Sequence, residues 1–261
     1  MTHVSKNKPG SFSWIELATS DQNAAKQFYT SLFGWEVEDS PVGDNEFYSM
    51  FKLEGQYVGA AFTMPKDQRE QGVPPYWGIY IAVENADSSA ERGQQLGGKV
   101  IAPPFDVMEY GRMAVLQDPT GATFSVWQPK LHSGFGIAGV DGTMCWADLS
   151  SPDPSTASKF YSALFRWEIA AGEHDSSGYL HIKNGADFIG GVQPSSQRNP
   201  NAPPHWLAYL LTSNCDATAA KAKQLGAKFY LEPMTMENVG RMAVVADPQG
   251  AVFAIFQPMR K

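Results

Sequence analysis

Cysteine is nearly absent: the chain has only Cys145 and Cys215 in 261 residues. Two thiols cannot form a disulfide framework, and such sparing use suits a reducing compartment. Long apolar runs are missing as well. The longest stretches, at 79–83 and 206–211, are far too short to span a bilayer as a helix. Residues 1–10 are polar, so a Sec-type signal peptide is not expected. No Lys/Arg run is present, and 20 basic against 27 acidic side chains give a net charge of −7. A nucleic-acid partner is therefore not expected. With 43% hydrophobic and 18% charged residues, the composition excludes a disordered chain. The expectation is a cytoplasmic protein of two domains with no membrane partner; composition gives no function and leaves a monomer or a homodimer open.

What the chain does contain is itself, twice. Trp14, Leu17, Asp21, Ala25, Phe28, Tyr29, Leu32, Phe33, Trp35 and Glu36 recur as Trp146, Leu149, Asp153, Ala157, Phe160, Tyr161, Leu164, Phe165, Trp167 and Glu168. Gly-Arg-Met-Ala-Val at 111–115 recurs at 240–244, and Asp118-Pro119 recurs as Asp247-Pro248. A unit of this length is a duplicated domain rather than a solenoid repeat. The expected division is a polar tail at 1–10, a first domain at 11–129, a Gly-rich linker at 130–142 and a second domain at 143–261.

Within one repeat, residues 12–18 alternate and read as a strand. Asp21 is a candidate N-cap, and Ala25, Phe28, Tyr29, Leu32 and Phe33 follow at helical spacing. Gly34 supplies the stop. In the second copy Asp153-Pro154 combines a cap with proline at the first helical position. Three short strands follow at 35–38, 47–53 and 57–63, then a polar connection at 64–75. The pattern then restarts, with strands at 77–83, 99–102, 112–117 and 123–128 and a helix at 87–96. Asp118-Pro119-Thr120-Gly121 has the residues a type I turn favours. The chain thus holds four β-α-β-β-β modules.

This doubled pattern resembles the vicinal oxygen chelate superfamily, the group of glyoxalase I, the extradiol dioxygenases and the bleomycin-resistance proteins. The resemblance rests on Asp21…Phe28-Tyr29…Leu32-Phe33-Gly34-Trp35 with Asp118-Pro119-Thr120-Gly121, and on their counterparts in the second copy. It implies an α+β fold of two tandem glyoxalase-like domains, each made of two βαβββ modules whose curved mixed sheets enclose a cavity. Whether modules pair as one with two and three with four, or cross over, stays open.

Metal-using relatives place His or Glu at inward strand positions, which align here with Trp14 or Trp146, Gly78 or Leu207, and Ser125 or Ala254. A fourth strand position falls near Ala60-Ala61 or Gly190-Gly191. None of these supplies an imidazole or a carboxylate. His3, His132, His174, His181 and His205 all avoid them. The expectation is no metal and no cofactor.

Side chains two apart on a strand share a face, so Glu16 should accompany Trp14, and Asp148 should accompany Trp146. A carboxylate beside an indole in an apolar cavity has a raised pKa and suits acid–base work or a hydrogen bond to a ligand. The other reading is an acid paired with a Lys, an Arg or a backbone N–H of a neighbouring strand. Tyr48, Tyr80, Ser125 and Trp127, with Tyr179, His181 and Tyr209, are the further candidate lining residues. Trp77, Trp206, Arg112 and Arg241 are added; each arginine could instead close a sheet edge by an ion pair. The Gly-x-Gly-x-x-Gly string at 134–139 lacks the strand-then-helix context of a dinucleotide site. The expected function is metal-free binding of a small aromatic or amphipathic molecule. The alternatives are a glyoxalase-like or hydroxylase-like enzyme using Glu16 or Asp148, and a regulatory module.

Overall fold

The computed structural model describes residues 2–4, 7–43, 46–173 and 176–259; His174 lies outside the described residues. Capping sets the first helix. The Asp21 carboxylate accepts from the Ala24 N–H at 3.0 Å and starts Gln22–Phe33. Gly34 ends it in the left-handed region at φ 72°, donating its N–H to Thr30 O. The counterpart helix Pro154–Phe165 is capped by Asp153, but Arg166 takes the left-handed position at φ 60°. Each second module contributes a shorter helix, Ala86–Gln95 and Cys215–Gln224, capped by Asn85 and Asn214. The connection at 64–75 also carries a short helix, Lys66–Glu70.

Two mixed eight-stranded sheets form. The first runs Glu36–Gly43, Glu46–Leu53, Gln56–Thr63, Phe12–Thr19, Tyr76–Ala82, Thr123–Pro129, Gly111–Gln117, Lys99–Val107. The second repeats this order with Glu168–Ala171, Leu180–Asn184, Asp187–Val192, Met144–Ser150, His205–Leu211, Val252–Pro258, Gly240–Ala246 and Lys228–Met236. In each, the leading strand pairs in parallel with the fourth strand of its own module and antiparallel with the leading strand of the next. Glu16 lies opposite Ala60 on one side and Gly78 on the other. Asp148 lies likewise between Gly191 and Leu207. Modules therefore pair one with two and three with four.

The period-2 alternation gives each sheet two unlike faces. One face, carrying Ile15 and Leu17, packs on the helices and is fully buried. Those helices are shared. Phe28 and Tyr29 of the first repeat pack against Phe253 of the second, edge-on and tilted, with ring centroids 6.4 and 5.6 Å away. Phe160 and Tyr161 meet Phe124 of the first at 6.1 and 5.3 Å. The Tyr29 hydroxyl donates to Asp247 Oδ2 at 3.0 Å and accepts from Trp77 Nε1 at 2.9 Å. Trp206 Nε1 donates to Tyr161 at 2.9 Å in the mirrored position. One continuous core joins the repeats.

The tail and linker are pinned rather than loose. Thr2–His3 pairs with Ile137–Ala138. Trp167 Nε1 donates to Gly10 O at 2.7 Å, and Trp35 Nε1 to Gly142 O at 3.1 Å.

Candidate functional site: two acid-centred clefts

The face of each sheet turned away from the helices forms a cleft. In the first, Trp14 and Glu16 stand two apart on the leading strand and share this face. The Tyr48 hydroxyl donates to Glu16 Oε2 at 2.7 Å and the Tyr80 hydroxyl donates to Oε1 at 2.9 Å. Trp14 Nε1 donates to the Tyr48 hydroxyl at 3.2 Å. Ser125 lies opposite Tyr80 on the neighbouring strand. The second cleft repeats the arrangement around Asp148. Tyr179 donates to Oδ1 at 2.6 Å and Tyr209 to Oδ2 at 2.7 Å. Trp146 Nε1 donates to Oδ1 at 3.0 Å and Gln193 Nε2 reaches Oδ2 at 3.5 Å.

Both carboxyls are held above the ordinary range, because burial penalises the charge more than the phenolic donors relieve it. The same burial, with the acid alongside, pushes Tyr48, Tyr80, Tyr179 and Tyr209 upward. These phenols stay protonated and act as donors. The partners that neighbouring strands bring to the acids are tyrosine hydroxyls, not the Lys, Arg or backbone N–H considered from the sequence.

The clefts differ in where they open. Beside Glu16 the partner residue is Gly78, and Glu16 keeps partial access to solvent next to the half-exposed Tyr76. Beside Asp148 the partner is Leu207, which joins Tyr209, Met242 and Ala254 in a buried cluster, and Asp148 is 5% exposed. At the indole the asymmetry reverses. Trp14 is 4% exposed because the His132 imidazole packs edge-on against it at 4.7 Å, with Phe135 at 5.8 Å. Trp146 instead borders a cavity of about 570 Å³ lined by Glu168, Ala170, Ala171, Gly172, Glu173, His181, Lys183 and Phe188.

Other candidates land elsewhere. Trp77 and Trp206 lie on the helix face, buried against Tyr29 and Tyr161, one residue out of phase with Gly78 and Leu207. Arg112 pairs with Asp87 of the helix Ala86–Gln95 at 2.7 and 2.8 Å, and Arg241 with Asp216 of the helix Cys215–Gln224 at 2.8 and 2.7 Å, so each ties a strand to a helix. Trp127 faces the first cleft and donates to His132 O at 2.9 Å. Gln193, Tyr57, His132 and Phe188 escape a sequence reading. Only the aromatic and imidazole residues inside the Gly-rich linker hint at His132.

The chain belongs to the Glyoxalase/Bleomycin resistance protein/Dioxygenase superfamily, whose pattern matches residues 11–126. A Glyoxalase-like domain matches residues 145–256. It is 40% identical over 264 residues to "Putative glyoxylase CFP32" of Mycobacterium tuberculosis, covering 99% of this chain and 98% of that one. It is 32% identical over 266 residues to the anthracycline biosynthesis protein DnrV of Streptomyces peucetius, covering 95% and 94%. The fold resembles the Mn(II)-bound glyoxalase of Novosphingobium aromaticivorans at 17% identity and TM-score 0.67, covering 97% of this chain and 83% of that one. It also resembles the 2,3-dioxygenase LapB of Pseudomonas sp. KL28 at 14% identity and TM-score 0.61, covering 100% and 94%.

The metal-using members of the superfamily hold a divalent metal, and the residues of these clefts do not fit one. Among the described residues no group of three His, Cys, Asp or Glu converges. Each acid accepts from two tyrosine hydroxyls, and Asp148 also from Trp146 Nε1, so the oxygens a metal ion would need are already engaged by donors. The Tyr179 hydroxyl fills the space a side chain at Gly191 would need, so that aligned position is a cradle for a phenol.

Proposed function

We propose that this protein binds a small aromatic or amphipathic molecule in its clefts without the superfamily's metal. The donor-ringed acid carries the reading: where a metal centre needs converging ligands, both repeats have a carboxyl, two phenols and an indole. The aromatic walls and few polar groups are those of a ligand pocket. A relative named for anthracycline biosynthesis, a route to fused-ring aromatic molecules, supports the same ligand class.

The test joins elemental analysis of tag-free, chelator-free protein to ligand titration followed by tryptophan fluorescence. The reading expects substoichiometric metal and saturable quenching by aromatic ligands, unchanged by added Mn²⁺ or Zn²⁺. Stoichiometric metal that gates binding or activity overturns it.

One observation favours a second reading. Glu16 combines an upward-shifted carboxyl with partial access beside Gly78, as an acid–base residue requires. On that reading a glyoxalase assay detects turnover, and Glu16→Gln abolishes it while leaving ligand binding intact.

A further inference from the structure

The two acids are not equally satisfied. An ionised carboxylate offers about four lone-pair sites to donors. Asp148 fills them from its own chain: Tyr179 and Trp146 donate to Oδ1, Tyr209 donates to Oδ2, and Gln193 reaches Oδ2. Glu16 takes one phenol on each oxygen, Tyr48 on Oε2 and Tyr80 on Oε1. Trp14 gives its indole N–H to the Tyr48 hydroxyl instead. Phe62 stands in the place of Gln193: each comes two residues after the one opposite the acid, which is Ala60 for Glu16 and Gly191 for Asp148. A phenyl ring donates nothing, so Glu16 keeps acceptor sites that no described residue fills.

Those sites can be reached. Glu16 lies on a central strand paired on both sides, so its partial exposure belongs to the side chain. Gly78 beside it brings no side chain, whereas Leu207 closes over Asp148. The surroundings are aromatic: Tyr48 and Phe62 are half-buried and Tyr76 is 39% exposed. Phe62 and Tyr76 flank Ala18, the next residue of the leading strand on the cleft face. Burial, and then the charge of Glu16, push the Tyr76 hydroxyl upward, so that ring stands near the acid. Positive charge is the missing component. Among the described residues no Lys, Arg or His pairs with Glu16, and burial without a positive neighbour holds its carboxyl above the ordinary range. An anionic ligand is repelled here. A cation gains both the carboxylate and the ring faces. A metal ion needs several converging ligands, but an ammonium group needs one anion and brings its own donors.

We propose that the first cleft binds a protonated organic amine carried on an aryl or other apolar body. The ammonium donates to the open lone pairs of Glu16 beside Gly78, and the body packs against Phe62 and Tyr76. Asp148, satisfied from within and closed by Leu207, takes no such ligand. This rests on the reading of the clefts as ligand sites, and it names the charge and chemistry that one of them selects.

The test is isothermal titration calorimetry of the full chain at neutral pH with benzylamine, benzyl alcohol and phenylacetate. Benzylamine saturates a single site, benzyl alcohol binds about tenfold more weakly, and phenylacetate is weaker still. Glu16→Gln keeps the size of the side chain, removes its charge and weakens benzylamine about tenfold; on the acid–base reading the same variant leaves binding intact. Phe62→Gln installs the residue that the second repeat holds at that position. It offers Glu16 an internal donor, removes a ring and weakens benzylamine about three- to tenfold. Circular dichroism checks the fold of both variants, and if Glu16→Gln does not fold, Phe62→Gln decides. Benzyl alcohol or phenylacetate binding as tightly as benzylamine overturns the amine and leaves the broader binding reading standing. Benzylamine binding that the folded variants leave unchanged overturns the position at Glu16. Silence of every aryl probe, whatever its charge, overturns the two readings together.

Discussion

Tyr29→Phe removes one oxygen and should cost the whole chain stability, because that oxygen joins the two repeats. The hydroxyl donates to Asp247 Oδ2 at 3.0 Å and accepts from Trp77 Nε1 at 2.9 Å, in a fully buried setting. A hydrogen bond to a charged group contributes about 1.5–3 kcal/mol, and an orphaned buried donor costs about 1–3 kcal/mol. The two overlap, since Trp77 and Asp247 relax together, so the net loss is about 3 kcal/mol. Asp247 itself stays anchored, because Oδ1 still accepts from the N–H groups of Gln249, Gly250 and Ala251. At about 2–4 °C per kcal/mol for a chain near this size, Tm falls by roughly 6–12 °C. Urea denaturation followed by both tryptophan fluorescence and circular dichroism measures the loss. A Tyr29→Phe/Asp247→Asn double-mutant cycle then isolates the coupling between repeats. A loss below about 1 kcal/mol, or strict additivity in the cycle, refutes the claim that this bond couples the repeats. So does a wild-type transition that splits into two steps, because the shared core requires one.

Further outcomes follow from particular residues. Arg166→Gly relieves a non-glycine residue at φ 60° and should raise stability by about 1 kcal/mol in thermal melts, whereas the same change at an ordinary helical position lowers it. Gly78→Leu should fold, since an added Cβ meets nothing closer than the Tyr76 ring at 3.5 Å. It should slow carbodiimide labelling of Glu16, read by mass spectrometry; unchanged labelling removes Gly78 as the opening over the acid. For pH, the folded chain holds protons on Glu16 and Asp148 to higher pH than the unfolded chain does. Their contribution is therefore complete below the ordinary carboxylate pKa and lost as pH rises through the raised values. Glu16→Gln and Asp148→Asn should each flatten the Tm profile across that window relative to wild type; profiles parallel to wild type contradict the direction of the shift.

The fold was legible in the sequence because its signals are local. Asp21, Gly34 and Asp153-Pro154 mark helix ends by their own backbone chemistry, and the repeat shows directly that the architecture is doubled. The acid clamp was half legible. Alternation put Glu16 beside Trp14, but the arrival of Tyr48 and Tyr80 on its two oxygens depends on pairing across three strands, with a register shift between Phe12 and Trp14. Trp77 and Trp206 show the limit of residue type as evidence. An aromatic one position from the cleft belongs to the opposite face, and only the register says which face is which. His132 was hidden for another reason. Its role comes from the path of an irregular segment, and a Gly-rich stretch gives no periodicity from which to read that path.

Duplication lets the same acid clamp survive twice while its surroundings part. A leucine beside Asp148 closes the approach that a glycine beside Glu16 leaves open. A linker ring covers Trp14, while Trp146 faces a cavity. Each change is small in sequence, yet together they move the opening from the carboxyl in one repeat to the indole in the other. The buried clamp explains why this is tolerated. With both acid oxygens satisfied by tyrosines of neighbouring strands, each sheet is held together across its centre, independently of what occupies the cleft. The residues around that clamp, Gly78 against Leu207 and Met50 against His181, are thus free to set what each cleft admits. Exchanging them tests specificity without dismantling either sheet.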